Sequence, residues 1–286
     1  MRYCATSVML PELTMEEQAG LLARLGFDGI EWRVRRAPEG ARGRGYSNWG
    51  EHRNDLTPEN FAKNAGRMRQ VAADHGLVIA GLATNPPATD LEQIRLLGEG
   101  AAACGAPFVR VGCPRGYDGS TDYHALYREA VEAYGGAVEA LAGYGVKAAL
   151  EIHGGTICVS ASLAHRIVSR WPPERVGVIY DPQNMVKDGY ETTELALELL
   201  GPYTCHVHAG GHRPVARGRD ELGTVEWEWE GVPMAEGLYD YRRMLRKLKA
   251  MGYEGFVSIE DFRDAPPEEK LREGLAYLRR VEGELG

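Results

Sequence analysis

The chain has 286 residues, 44% of them hydrophobic and 26% charged, a balance that suits an ordinary folded protein and excludes disordered and fibrous classes. Its 41 acidic and 33 basic residues leave a net charge of −8, which argues against a protein devoted to nucleic acid, because phosphate neutralisation needs a basic face. Five scattered cysteines (Cys4, Cys104, Cys113, Cys158, Cys205) with no CxxC pair argue against a disulfide framework or a structural zinc.

In chain order, β-branched or apolar runs alternate with amphipathic ones. A first strand is expected over residues 2–9, then a helix in EEQAGLLARLG closed by Gly26. The second strand, 29–36, leads into an Arg- and Gly-rich connection over 36–56. A helix follows in PENFAKNAGRMRQVAADHG, where Phe61, Ala65, Met68, Val71 and Ala72 share a face and Gly76 marks the end. Strands at 77–85, 107–113 and 146–154 enclose the helical DLEQIRLLGEGAAACG and YREAVEAYGGAVEALAGYG, the latter closed at Gly145. Strands at 175–182 and 203–211 flank TTELALELLG. A second long connection, 210–238, contains WEWEGVPMAEG, and Trp227 and Trp229 in it are expected to pack a lid. YRRMLRKLKAMG ends at Gly252, and the last strand, 255–262, precedes the helical PPEEKLREGLAYLRRVEG.

Strand–helix alternation demands a parallel sheet, since parallel neighbours need a crossover. Eight such units without a GxGxxG after the first strand fit a (β/α)8 TIM barrel better than an open dinucleotide fold. With no composition break, residues 1–286 read as a single α/β domain. No run approaches ~18 apolar residues, and the N-terminal stretch, with Glu16 and Glu17 after a short apolar run, does not read as a signal peptide. A cytoplasmic location is therefore expected. Both long connections leave carboxyl ends of strands, where barrel enzymes keep their active sites.

The last four strands finish in LEIHGG, IYDPQN, HVHAGG and SIEDF. Strand parity puts Ala149, Glu151 and His153 on one face of the fifth, Gly177, Ile179 and Asp181 on the sixth, Thr204, His206 and His208 on the seventh, with Tyr203, Cys205 and Val207 opposite. Phe256, Ser258 and Glu260 share a face of the eighth. Taken singly, each acid or histidine reads as a structural polar group. Together, Glu151, Asp181, His208 and Glu260 stand at one level of adjacent strands, where they would repel one another unless a cation neutralised them. An oxygen-rich set with one nitrogen suits one divalent ion, Mn²⁺ or Mg²⁺ first, with Co²⁺ or Zn²⁺ also compatible.

Through GFDGIEWR, VRVG, EIHGGT, VGVIYDPQNMVKDGYE, CHVHAGG and GYEGFVSIEDF, the whole chain resembles the sugar phosphate isomerase/epimerase family of xylose isomerase-like TIM barrels. That superfamily includes D-tagatose 3-epimerase, inosose dehydratase and endonuclease IV. The resemblance implies that Glu151, Asp181, His208 and Glu260 bind the metal and that Glu151 and Glu260 also move protons. Its epimerases carry a histidine where this chain has Asn184, so sugar specificity does not transfer. The chemistry expected is proton abstraction next to a carbonyl of a small sugar or polyol ketone, through a metal-stabilised enediolate. The same ligands would serve an inosose-type dehydratase. An endonuclease IV-like phosphodiesterase fits poorly, because its three-zinc cluster needs further histidines, where this chain has GLATNPP, VGCPRG and Asn184.

His153, Asn184, His206, Arg213 and Glu31 are the candidate substrate-binding residues, with His212 beside Arg213. For Glu31, Arg33 and the inward Arg110 the competing expectation is a buried Glu–Arg ion pair closing the barrel. The arginines of the 36–56 connection and its edge (Arg35, Arg36, Arg42, Arg44) could attract a substrate phosphate or carboxylate, against the commoner reading of a solvated surface. The expected partner is a small molecule, with no nucleic acid or membrane, and the relatives' habit of forming homo-oligomers is the only sign of self-association.

Overall fold

A computed structural model describes residues 1–113 and 117–285, so the end of the VGCPRG run lies outside the described residues. The first half comprises β1 (Arg2–Thr6), α1 (Met15–Leu25), β2 (Gly29–Arg33), α2 (Pro58–Asp74), β3 (Val78–Ala83), α3 (Leu91–Cys104), β4 (Phe108–Val111) and α4 (Tyr123–Ala142). The second comprises β5 (Lys147–Glu151), α5 (Ala161–Val168), β6 (Val176–Tyr180), α6 (Pro182–Asp188), α7 (Thr193–Leu200), β7 (Thr204–Ala209), β8 (His212–Arg219), β9 (Val225–Gly231), α8 (Tyr241–Ala250), β10 (Phe256–Ile259) and α9 (Pro267–Gly283).

Local chemistry sets the helix ends. Thr14 and Glu17 form a reciprocal capping box on α1, while Asp90, Asp122, Ser160 and Asp240 accept first-turn amide hydrogens of α3, α4, α5 and α8. Gly26, Gly76, Gly145 and Gly252 all take positive φ, from 67° to 89°, as their place after a helix requires.

Eight parallel strands pair in the order β3-β2-β1-β10-β7-β6-β5-β4. The remaining seam, between β3 and β4, carries no ladder and is stitched by Thr84 Oγ1 donating to Arg110 O (2.6 Å) and Gly112 N donating to Pro86 O (2.8 Å). The result is the nearly closed (β/α)8 TIM barrel that the alternation implies. Among the described residues, no helix is long and apolar enough to cross a membrane.

Inside the barrel two small apolar groups fill the floor, Cys4 with Ala80 and Phe256, and Phe108 with Ala149 and Ile179. Gly81 makes room for this filling, because a Cβ there would stand 2.3 Å from the Phe108 ring. Above this floor the inward side chains turn polar.

Two departures from the sequence reading have physical causes. Between β6 and β7 the register slips, pairing Val178 with Thr204 but Ile179 with His206. Cys205 occupies the slip and packs against the interior Phe108, Ala149 and Ile179 group instead of facing the helices. The 210–238 connection contains an antiparallel hairpin of β8 and β9, whose alternating charged faces keep it out of the barrel sheet. In it Trp229 packs on the core and Trp227 is exposed.

Substituting Gly81→Ala should therefore destabilise the fold by about 1–3 kcal/mol in urea denaturation, the usual cost of overpacking. The Gly81→Ala/Phe108→Leu pair should cost less than the sum of its single substitutions, since the smaller side chain relieves the clash.

Candidate metal centre

The polar layer is built around His208, which is fully buried. Its Nδ1 lies 2.9 Å from Glu151 Oε1, 3.3 Å from Glu260 Oε2 and 3.7 Å from Asp181 Oδ2. Donor atoms of these four residues all lie within 4.8 Å of one another. They are the candidate metal-binding residues, delivered by the carboxyl ends of β5, β6, β7 and β10 as strand parity requires.

Neighbours hold each one in place. Asp181 caps α6, and its two oxygens accept from Asn184 N (3.0 Å) and Asn184 Nδ2 (2.6 Å). Glu151 Oε2 is met by Arg110 Nη2 at 2.8 Å, with both side chains buried. On the far side of the His208 ring, Nε2 lies 3.4 Å from Glu31 Oε1. Ser258 donates to Glu31 Oε2 at 2.7 Å, and His206 Nε2 stands 3.4 Å from the same oxygen.

Charge explains the cluster's tension. Four carboxylates (Glu31, Glu151, Asp181, Glu260) meet one guanidinium and two imidazoles, those of His206 and His208. Burial opposes ionisation of Glu151, but Arg110 and His208 outweigh it and hold that carboxyl at about 2. Burial pushes Glu260 up to about 8; His208 pulls against that shift, while Glu151, Glu31 and Asp181 reinforce it. His208, which burial alone would depress, is held well above the usual imidazole range by the carboxylates of Glu260 and Glu31. Its Nδ1 touches three carboxylate oxygens yet makes no well-angled hydrogen bond. A buried nitrogen aimed among three acid oxygens, in a site with excess negative charge, fits a divalent cation.

The cluster opens into a cavity of about 440 Å³ lined by Arg35, Pro38, Trp49, Asn85, Arg110, Glu151, His153, Gln183, Asn184, Lys187, His212, Glu260 and Phe262. His153 and Asn184 thus line the space a substrate would enter. Arg213 stands in an adjoining recess, where Glu236 (3.0 Å) and Glu230 (3.4 Å) hold it.

Of the remaining candidate substrate-binding residues, Glu31 and His206 stand apart from the cavity wall. Both are fully buried, and their polar atoms meet each other and His208 rather than the cavity. The buried Glu–Arg pair exists, but it joins Arg110 to Glu151; the Arg33 guanidinium instead donates to Gly50 O at 2.9 Å.

Sequence reading missed the aromatic wall, Trp49 against Phe262 with ring centroids 4.8 Å apart. No local pattern joins these residues, since only the fold brings the 36–56 connection to the end of β10. It also passed over Lys187 and Gln183, which lie in the VIYDPQNMVKDG run on which the resemblance rests.

Removing the Glu31 carboxylate would leave His206, His208 and Ser258 without their buried acceptor. Glu31→Ala should cost about 3–5 kcal/mol of unfolding free energy, measured by urea denaturation, and Glu31→Gln should cost less.

A family model described as xylose isomerase-like TIM barrel matches residues 19–281. No curated protein matches the sequence. Among solved structures, D-psicose 3-epimerase from Clostridium cellulolyticum H10, determined with D-tagatose, aligns at TM-score 0.68 and 16% identity over 99% of each chain. The probable 3-DHS dehydratase AsbF from Bacillus anthracis aligns at TM-score 0.73 and 15% identity, covering 98% of this chain and 99% of that one. A xylose isomerase-like TIM barrel protein from Mycobacterium smegmatis, in complex with magnesium, aligns at TM-score 0.69 and 17% identity, covering 100% of this chain and 98% of that one. Such distant structural likeness speaks for the fold, and the family match across nearly the whole length speaks for descent: the chain belongs to the xylose isomerase-like TIM barrel family.

Proposed function

We propose that this protein is a divalent-metal-dependent isomerase or epimerase of a small sugar or polyol ketone. The observation that carries the reading is the convergence of Glu151, Asp181, His208 and Glu260 at a cavity into which both glutamates open. These four would hold the ion, and three carboxylates with one imidazole suit manganese. Bound there, it would supply Lewis-acid polarisation of the substrate carbonyl and neutralise the enediolate charge.

The chain's own groups account for the proton movements. Glu151 and Glu260 reach the cavity from non-adjacent strands, β5 and the end of β10, so they can flank one carbon. One takes the proton beside the carbonyl and the other returns a proton. Return to the opposite face inverts the centre; return to the neighbouring carbon moves the carbonyl. Arg110 fixes the orientation of Glu151 by its buried ion pair. His153 and Asn184 are placed to hydrogen-bond substrate hydroxyls, and Asn184 also steadies Asp181. Trp49 and Phe262 give the cavity an apolar wall that limits water. All five cysteines being free thiols suits a reducing, cytoplasmic setting.

Elemental analysis of protein supplied with manganese should find about one divalent ion per chain, and Asp181→Ala should lose it. A ketose and polyol-ketone panel in D₂O should place deuterium on the carbon beside the carbonyl, and the same substitution should abolish the exchange. A product lighter by one water would transfer the reading to a dehydratase. Metal-free protein under manganese supply would sink it.

A further inference from the structure

Among the described residues, one cation on the cavity wall meets no carboxylate at contact distance. Lys187, near the end of α6, is half-buried and lines the cavity beside Glu151, Asn184 and Glu260. Among the described residues it makes no hydrogen bond or ion pair. Burial pushes its ammonium down, while Asp181 and Asp188 attract it from beyond contact distance. Two of the nearby acids are engaged elsewhere: Arg110 meets Glu151, and Asn184 occupies both oxygens of Asp181.

Two further nitrogen-bearing groups stand on the same wall. Arg35 enters from the connection after β2, its guanidinium 5.7 Å from the Trp49 ring centre. His212 presents a buried Nδ1 without a hydrogen-bond partner. Lys187 is close enough to His212 to add to the depression that burial imposes on that ring. A half-desolvated ammonium without a counter-charge in contact is costly, and a neutral sugar would desolvate it further. An anionic group would turn the same burial into a charge-assisted contact.

We propose that the substrate of this cavity bears an anionic group, a carboxylate or a phosphate, which Lys187 receives with Arg35 and His212 beside it. The inference deepens the isomerase reading and rests on it for the reacting end of the substrate. The cavity, at about 440 Å³, has room for a small sugar acid or sugar phosphate.

The test compares erythritol, erythronate and erythritol 4-phosphate by calorimetric titration into manganese-loaded protein, into Lys187→Met and Lys187→Arg, and into metal-free Asp181→Ala. At least one anionic ligand should bind roughly tenfold or more tightly than erythritol, and the tighter of the two names the group. Lys187→Met should erase that preference and Lys187→Arg should restore most of it. Equal binding of all three ligands, no binding of any, or a preference that survives in Lys187→Met overturns the proposal. A Lys187-dependent preference in protein that takes up no manganese would keep the anion site and discard the metal reading. Manganese binding without any anion preference would do the reverse.

Discussion

Everything at the mouth of this barrel depends on bringing acid oxygens together around one buried imidazole. His208 touches Glu151, Glu260 and Asp181 through Nδ1 and faces Glu31 through Nε2. Such an arrangement is unfavourable when its charges are counted alone, and the neighbouring side chains are arranged to offset it. Arg110 supplies a full positive charge to Glu151, Ser258 donates to Glu31, and Asn184 donates twice to Asp181. Among the described residues Glu260 has neither an arginine nor a serine or amide donor, and burial with its fellow acids pushes it up, opposite to Glu151. The unevenness matters chemically, because two glutamates in unlike surroundings can take unlike roles in one proton transfer.

The barrel supplies the rigidity this requires. Its floor is filled by Phe108 and Phe256 with small partners, Gly81 being bare to admit the Phe108 ring. A polar layer of Glu31, His206 and His208 rests on that floor, with Phe108 and His206 ring centroids 5.2 Å apart. Packing at the bottom therefore sets the height of the imidazole, and the imidazole sets the meeting point of acids from three other strands. Rotating His208 would require moving Glu31, which two histidines and a serine hold.

How much of this was legible in the sequence follows from what a period of two can report. Parity along a strand gives the face of a residue, and it placed Glu151, Asp181, His208 and Glu260 inward, where the structure has them. Parity does not report what an inward residue meets, so it did not show that Glu31 and His206 join His208 in a buried polar cluster away from the cavity wall. Nor does it survive a bulge, as Cys205 demonstrates. Long connections were visible, but not what they become: one holds a charged hairpin, and the other delivers Trp49 to Phe262 from across the chain. The helix ends were the easiest part, because glycine with positive φ is a local constraint with a local cause.

The division between barrel and rim also says where specificity must reside. On the proposed reading, four candidate ligands at strand ends would support epimerisation, isomerisation or elimination alike, since each begins with a proton leaving the carbon beside a carbonyl. What distinguishes one substrate from another must then come from side chains that leave those ligands undisturbed. On that reading the candidates lie on the 36–56 connection, on α6 and at the start of β8, which contribute Trp49, Lys187 and His212 to one wall. These segments make no ladder in the barrel sheet, so their side chains can change without shifting the acid cluster. Asn184 is the exception: it faces the cavity and also donates to both oxygens of Asp181, so replacing it would alter the cavity wall and the acid cluster together.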